Sequence, residues 1–168
     1  DFAVGCGYKY LCGGPGAPAY AYVAARNHEA LSQPLSGWMG HAQPFAFQDD
    51  YTPAPGVDRL LCGTPQILSM SALEVGVDLI AEIGVDRLYA KSQALSEFFL
   101  DCLSQRDIAL ELVSPARSSE RGSQLSFRHE NAFAICQALI ARGVIGDFRD
   151  PDILRLGFAP AYLRFEDM

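Results

Sequence analysis

Lys9 is one of only two lysines in the chain, and its setting is unusual for a solvated side chain. In "VGCGYKYLCGGPGAPAY", residues 4–20, it follows an apolar stretch, stands between Tyr8 and Tyr10, and precedes a run of glycines and prolines. Two chemistries are open there. A lysine at a strand end can reach water past apolar neighbours, because its aliphatic stem covers apolar surface while the ammonium stays wet. A lysine whose pKa is lowered by burial is instead an amine nucleophile, able to form a Schiff base with an aldehyde. Strand alternation would put Tyr8 and Tyr10 on the face opposite Lys9. The glycines would let backbone approach a ligand closely and leave amides free for a phosphate.

Four further side chains stand out. In "DILRLGF", alternation puts Leu154, Leu156 and Phe158 on one face and Ile153, Arg155 and Gly157 on the other. Arg155 is then either a half-exposed strand charge or a buried fork for a carboxylate, with Gly157 leaving room beside it. Trp38, in "SGWMGH", is either a core or interface aromatic or an indole N–H donor to a phosphate or a substrate carbonyl. His41 in the same segment reads as structural, solvated or catalytic. Thr64 in "CGTPQ" can cap a helix, and that helix start would also favour a phosphate.

The elements that must position these groups follow from periodicity. "FAVGC" and "AYAYV" predict two short buried strands joined by the loop from Gly13 to Pro18. Residues 24–64 are irregular and punctuated by Pro34, Gly37, Gly40, Pro44, Pro53, Pro55 and Gly56; so long a loop is usually functional or covered by a partner. "PQILSMSALEVGVDLIAEIG" predicts a helix starting near Pro65 and ending at Gly84. A second helix follows from about Val85, burying Leu88, Leu95, Phe99 and Cys102. "IALELV" and "SQLSFRH" then read as strands, "ENAFAICQALIARG" as a helix facing Ala132, Ile135, Cys136, Leu139 and Ile140 inward, and "VIGDF" and "DILRLGF" as closing strands. The expected architecture is α/β: residues 1–85 the tail of a larger parallel-sheet lobe, residues 86–168 a small β-β-α-β-β lobe.

Composition narrows the function classes. A formal charge of −7 with no basic cluster argues against nucleic acid or an anionic membrane as the main partner. The hydrophobic share of 49% is that of a globular chain. No apolar run approaches the roughly 18 to 20 residues a membrane helix needs. Cys6, Cys12, Cys62, Cys102 and Cys136 form no CxxC pair and the three histidines are scattered, so they read as reduced cysteines of a cytoplasmic protein and not as a zinc site. No signal peptide is visible. The chain opens without Met, inside a strand-like run, which suggests the C-terminal piece of a longer protein.

Taken in order, "DFAVGCGYKYLCGGPGAPA", "GWMGH", "GTPQIL", "RGSQLSFRH" and "ALIARGVIGDFRDPDILRLGFAPAYLR" resemble the bacterial kynureninases over the whole length of the chain. The lysine segment alone would indicate only their wider superfamily, the pyridoxal-phosphate enzymes of fold type I, to which aspartate aminotransferase belongs. "RGVIGDFRDPDILRLGFAP" narrows it. The resemblance implies a large cofactor domain with a small C-terminal α/β domain, a homodimer, and pyridoxal 5'-phosphate as cofactor. It implies hydrolysis of L-kynurenine to anthranilate and L-alanine in tryptophan catabolism, the kynurenine pathway that also feeds NAD biosynthesis. It leaves the preference between kynurenine and its 3-hydroxy derivative open.

On that resemblance Lys9 holds the cofactor's aldehyde carbon and, once displaced by substrate, carries the Cα proton to the cofactor, before water adds to the aryl ketone and the Cβ–Cγ bond breaks. Tyr8 bonds the cofactor phosphate and serves proton transfer, Trp38 touches the phosphate, and Thr64 matches a position at the dimer interface that reaches the partner's site. Arg155 clamps the substrate carboxylate. Cys12 departs from the family's pattern, where asparagine is expected. The aspartate that pairs the pyridinium, the stacking aromatic and the phosphate loop would all lie before residue 1. The chain alone is therefore expected to be inactive and to hold the cofactor poorly. Another fold type I enzyme, an aminotransferase or cysteine desulfurase, and a non-catalytic assembly module remain as alternatives. A desulfurase would need a cysteine on a mobile loop, whereas the cysteines here are expected in regular elements or beside the lysine.

Overall fold

The computed structural model describes residues 1–168, which divide into two compact units, Asp1–Leu79 and Ile80–Met168. In the first, β1 (Phe2–Cys6) pairs antiparallel with β2 (Ala19–Val23), from Phe2 opposite Val23 to Cys6 opposite Ala19. The expectation that both strands are buried does not hold: Phe2, Val4, Tyr20 and Tyr22 are exposed, Val4 at 85%. A two-stranded ribbon has no third strand or helix to cover its faces. Its one internal economy is at Gly5, where a Cβ would collide with the Tyr20 ring laid across it.

Residues 24–64 contain little regular structure but are tied down by polar contacts. His28 Nε2 bonds the Val23 carbonyl at 3.0 Å, and Arg59 donates to the carbonyls of Ala54 at 3.0 Å and Leu31 at 2.7 Å. A bridge between His41 and Pro53 closes an inner loop, with the Ala54 amide donating to the Gly40 carbonyl at 2.8 Å. The segment thus satisfies its backbone internally without building a sheet. Helix α1 (Ile67–Ile83) follows, ending at Gly84, whose φ of 88° only glycine adopts readily.

In the second unit α2 (Val85–Ser104) buries Leu88 and Leu95, and also Ser92 and Ser96. The two serine hydroxyls donate back to the carbonyls of Tyr89 and Gln93, each at 2.9 Å, so both find an acceptor within the helix. The sheet orders its strands β3 (Glu111–Leu112), β4 (Gln124–Arg128), β6 (Ile153–Gly157), β5 (Asp147–Arg149), all antiparallel, with α3 (Ala132–Ile140) between β4 and β5 in sequence. This is the predicted β-β-α-β-β order. Strand β3 is shorter than the pattern "IALELV" suggests, because Ile108 to Leu110 fold into tight turns instead of pairing.

One sheet face carries the core. Leu125, Phe127 and Phe158 pack with Leu95, Phe99 and Leu103 of α2, while Leu154 packs with Ala132 and Cys136 of α3. Ile140, expected inward, is 37% exposed: it is the last residue of α3 and does not reach the Leu154 cluster. The opposite face is polar, with Ser126, Arg155 and Asp147 in one row across β4, β6 and β5.

Candidate active site

Lys9 does not lie on a strand. Strand β1 ends at Cys6, and residues 7–11 turn sharply, closed by the Cys12 amide donating to the Lys9 carbonyl at 3.0 Å. Strand alternation therefore does not separate Lys9 from Tyr8. Instead the ammonium sits 5.1 Å from the centre of the Tyr8 ring, a cation–π contact. Lys9 is also exposed.

What holds the turn is glycine chemistry. The Gly7 amide donates to the Pro18 carbonyl and the Gly13 amide to the Gly7 carbonyl, each at 3.0 Å. A Cβ on Gly7 would lie 2.7 Å from the Pro18 oxygen, and one on Gly13 would lie 2.8 Å from the Gly7 oxygen; both would press on Leu73 of α1. On that helix a Cβ at Gly76 would collide with the Leu11 carbonyl oxygen. The lysine turn is thus docked backbone-first onto α1.

A second pair of glycines brings Trp38 and Thr64 into neighbouring segments. A Cβ on Gly37 would collide with the Cys62 carbonyl, and one on Gly40 would lie 2.7 Å from the Leu61 oxygen. "GWMG" therefore lies against the strand of chain that leads into Thr64. Trp38 is exposed, with Phe45 edge-on at 5.7 Å. Thr64 is exposed too, but it does not cap α1: the Met70 amide donates to the Gln66 carbonyl at 2.9 Å, which puts the cap at Gln66, two residues beyond Thr64. Cys62, expected in a regular element or beside the lysine, lies instead in this loop, where its thiol donates to the Leu35 carbonyl at 2.9 Å.

His41 is structural. Its Nδ1 accepts from the Gln43 amide at 2.9 Å, which leaves Nε2 as the N–H donor to the Asp50 carbonyl at 3.2 Å. Both nitrogens are used to shape the loop around a cavity of about 310 Å³ lined by Trp38, His41, Pro44, Phe47 and Tyr51.

Arg155 belongs to the second unit. Its side chain is 28% exposed and already grips a carboxylate of its own chain. Nε donates to Asp147 Oδ2 at 3.0 Å and Nη2 donates to the same oxygen. The Arg155 hydrogen bond is the largest cause holding the Asp147 carboxyl below its ordinary value of 3.8; burial opposes it, and the charges of Arg155 and Arg149 add to the lowering. A Cβ on Gly157 would meet nothing within 4 Å, so the space expected beside Arg155 is present. Asp147 was not singled out from the sequence. The signal was there: a hairpin turning at Asp150–Pro151 puts residue 147 opposite residue 155.

No group of three or more His, Cys, Asp or Glu side chains comes together as a metal site would require, and the five cysteines are unpaired. No helix is long and apolar enough to cross a membrane.

Residues 88–168 match the family described as the kynureninase C-terminal domain. The whole chain aligns at 51% identity with the kynureninase of Burkholderia mallei strain SAVP1, covering 100% of this chain and 41% of that protein. The chain thus spans about two-fifths of the length of the curated relatives it matches. Among solved structures it resembles the apo cysteine desulfurase of Thermococcus onnurineus NA1, with a TM-score of 0.77 and 17% identity over 99% of this chain and 44% of that one. A C-DES variant carrying glycine covalently linked to its PLP cofactor matches with a TM-score of 0.72 and 18% identity, over 90% of this chain and 40% of that one. At such identities these structures establish a shared fold.

Proposed function

We propose, from the match of residues 88–168 to the kynureninase C-terminal domain and of the whole chain to part of a bacterial kynureninase, that this chain carries the lysine part of a pyridoxal-phosphate site and serves the hydrolysis of L-kynurenine to anthranilate and L-alanine. The observation that carries the proposal is 51% identity across the entire chain, within which Lys9, Tyr8, Trp38, Thr64 and Arg155 all fall. By the same reading residues 1–85 complete a cofactor domain, residues 86–168 form the substrate-facing small domain, and the protein works as a cytoplasmic homodimer.

The residues present fit the cofactor. Lys9 offers an exposed primary amine. Tyr8, Trp38 and Thr64 are exposed, and the Tyr8 hydroxyl, Trp38 indole N–H and Thr64 hydroxyl are donors that can turn to a phosphate. When bound, the cofactor supplies an electron sink for the bonds at the substrate Cα. Lys9 then holds the cofactor by its amine and, once released, moves the Cα proton. Tyr8, whose ring already meets the lysine ammonium at 5.1 Å, steadies that amine and shares in proton transfer. Arg155 takes the substrate α-carboxylate.

The test is direct. Pyridoxal phosphate added to the complete protein gives a visible absorption band, and kynurenine gives fluorescent anthranilate; Lys9→Ala abolishes both. Retention of the band in Lys9→Ala would overturn the assignment of the lysine.

A second reading, cysteine desulfurase, is favoured by the solved structures of the same fold and by exposed Cys62 in a loop. The Cys62 thiol is, however, bonded to the Leu35 carbonyl. Alanine released from cysteine with its sulfur left as a persulfide on a protein thiol, and freed as sulfide only when a thiol reductant is added, with no anthranilate from kynurenine, would decide for that reading. A third, a non-catalytic module on the same scaffold, is favoured by the exposure of Lys9 and would show no band at all.

A further inference from the structure

We infer that Asp147 is a positioning residue for Arg155, holding the guanidinium by its Nε–Nη2 edge and leaving the Nη1–Nη2 edge to an incoming carboxylate. The inference rests on the proposed role of Arg155 and adds the direction from which the carboxylate is taken.

The register makes the pair. Asp147 on β5 and Arg155 on β6 stand directly opposite each other, on the polar face of the sheet. Both Nε and Nη2 of Arg155 donate to one oxygen, Oδ2 of Asp147. These two N–H groups form one of the two parallel forks a guanidinium offers, and the second fork, Nη1 with the remaining N–H of Nη2, bonds nothing in the chain. Arg155 is therefore held and still half-free.

Charge favours an anion at the open fork. Arg149 Nη2 also lies 3.2 Å from Asp147 Oδ2, so one carboxylate faces two guanidinium groups and the group of three keeps a net positive charge. Space favours it as well, since a Cβ built on Gly157, two residues along β6, meets no atom within 4 Å. An arginine left unanchored would lose rotamer freedom on gripping a carboxylate, and Asp147 removes that cost before the ligand arrives. The carboxyl is suited to the task because it stays ionised well into acid, its proton affinity lowered first by the Arg155 hydrogen bond.

The experiment compares two ligands in the complete holoenzyme by calorimetry: L-alanine, and ethylamine, which is alanine without its carboxylate. Asp147→Asn is expected to weaken L-alanine about tenfold, the scale of one charge-assisted hydrogen bond, to leave ethylamine unchanged, and to raise KM for kynurenine with kcat kept within about twofold. Combined with Arg155→Gln it adds nothing further, because the two residues act through one contact. Unchanged or tighter L-alanine binding in Asp147→Asn overturns the inference, the latter by making Asp147 a competitor for the fork. Equal weakening of both ligands also overturns it, by reducing Asp147 to a fold residue. If Arg155→Gln itself leaves L-alanine unaffected, the carboxylate reading of Arg155 fails and takes this inference with it. If Arg155→Gln weakens L-alanine and Asp147→Asn does not, only this inference fails. Should Asp147→Asn not fold, Asp147→Glu, with its charge kept and its arm lengthened, is judged by the same selective loss.

Discussion

Cys12 adopts a φ of 58°, in the left-handed region where a residue with a Cβ is strained by roughly 1–2 kcal/mol and where asparagine is tolerated better than cysteine. Resemblance to the kynureninases leads one to expect asparagine there, and the backbone supplies the physical reason. Cys12→Asn should leave the lysine turn intact and raise stability by up to about 1 kcal/mol in urea unfolding; a loss of stability would show that the thiol contributes more than its strain costs. Asp147 gives a second expectation at this scale. Its carboxyl is held below 3.8 in the folded chain, chiefly by the Arg155 hydrogen bond, so below that value the unfolded state takes up a proton before the folded one does. The stabilisation is present above the unfolded value and lost as pH falls through the lower folded one. Because the carboxylate side chain is 46% exposed, solvent screening keeps the contribution small. Melting temperature should decline from about pH 4 downward, and Asp147→Asn should flatten that decline.

At the scale of elements, α1 serves two purposes that pull its sequence in different directions. Its apolar residues read as an ordinary helix, yet Gly76 lies within it, where glycine costs about 1 kcal/mol relative to alanine. The reason is the Leu11 carbonyl, which occupies the space a Cβ would need. Gly76→Ala should therefore destabilise, by about 1–3 kcal/mol, where helix propensity alone predicts a gain. It should also weaken pyridoxal-phosphate binding in the complete protein, because the backbone it displaces is that of the lysine turn. A gain in urea stability would show that the turn yields without cost. In the second unit, Leu95 is fully buried between α2 and the sheet, and Leu95→Ala should cost about 2–5 kcal/mol by calorimetry. The loss belongs to the small α/β unit, whose core is built from Leu95, Leu125, Phe127 and Phe158.

For the molecule as a whole, the distribution of apolar surface separates the two units. Exposed apolar side chains crowd the first, among them Phe2, Val4, Leu35, Phe47, Leu68 and Val75, and that much uncovered apolar surface marks an interaction face. The isolated chain is expected to bind a hydrophobic dye, to aggregate beyond a dimer, and to show no kynurenine hydrolysis; the complete protein should bind no dye and stop at the dimer. Turnover by the isolated chain at the rate of the complete protein would overturn the view that it holds only part of the site. The sequence by itself determined what depends on local periodicity and on residue type: the two long helices, the β-β-α-β-β order of the second unit, the lone lysine in its glycine loop and the arginine on the polar face of β6. Those are legible because helix and strand periods, and the chemistry of an amine or a guanidinium, are written into neighbouring residues. Only the tertiary structure decided that Lys9 stands in a turn against Tyr8 and not on a strand, that Thr64 precedes the helix cap, that β1 and β2 lie bare, and that Asp147 holds Arg155. Each depends on which distant backbone or side chain occupies the adjoining space, as Leu11 does beside Gly76 and Asp147 does across the hairpin from Arg155, and that is decided by packing between segments.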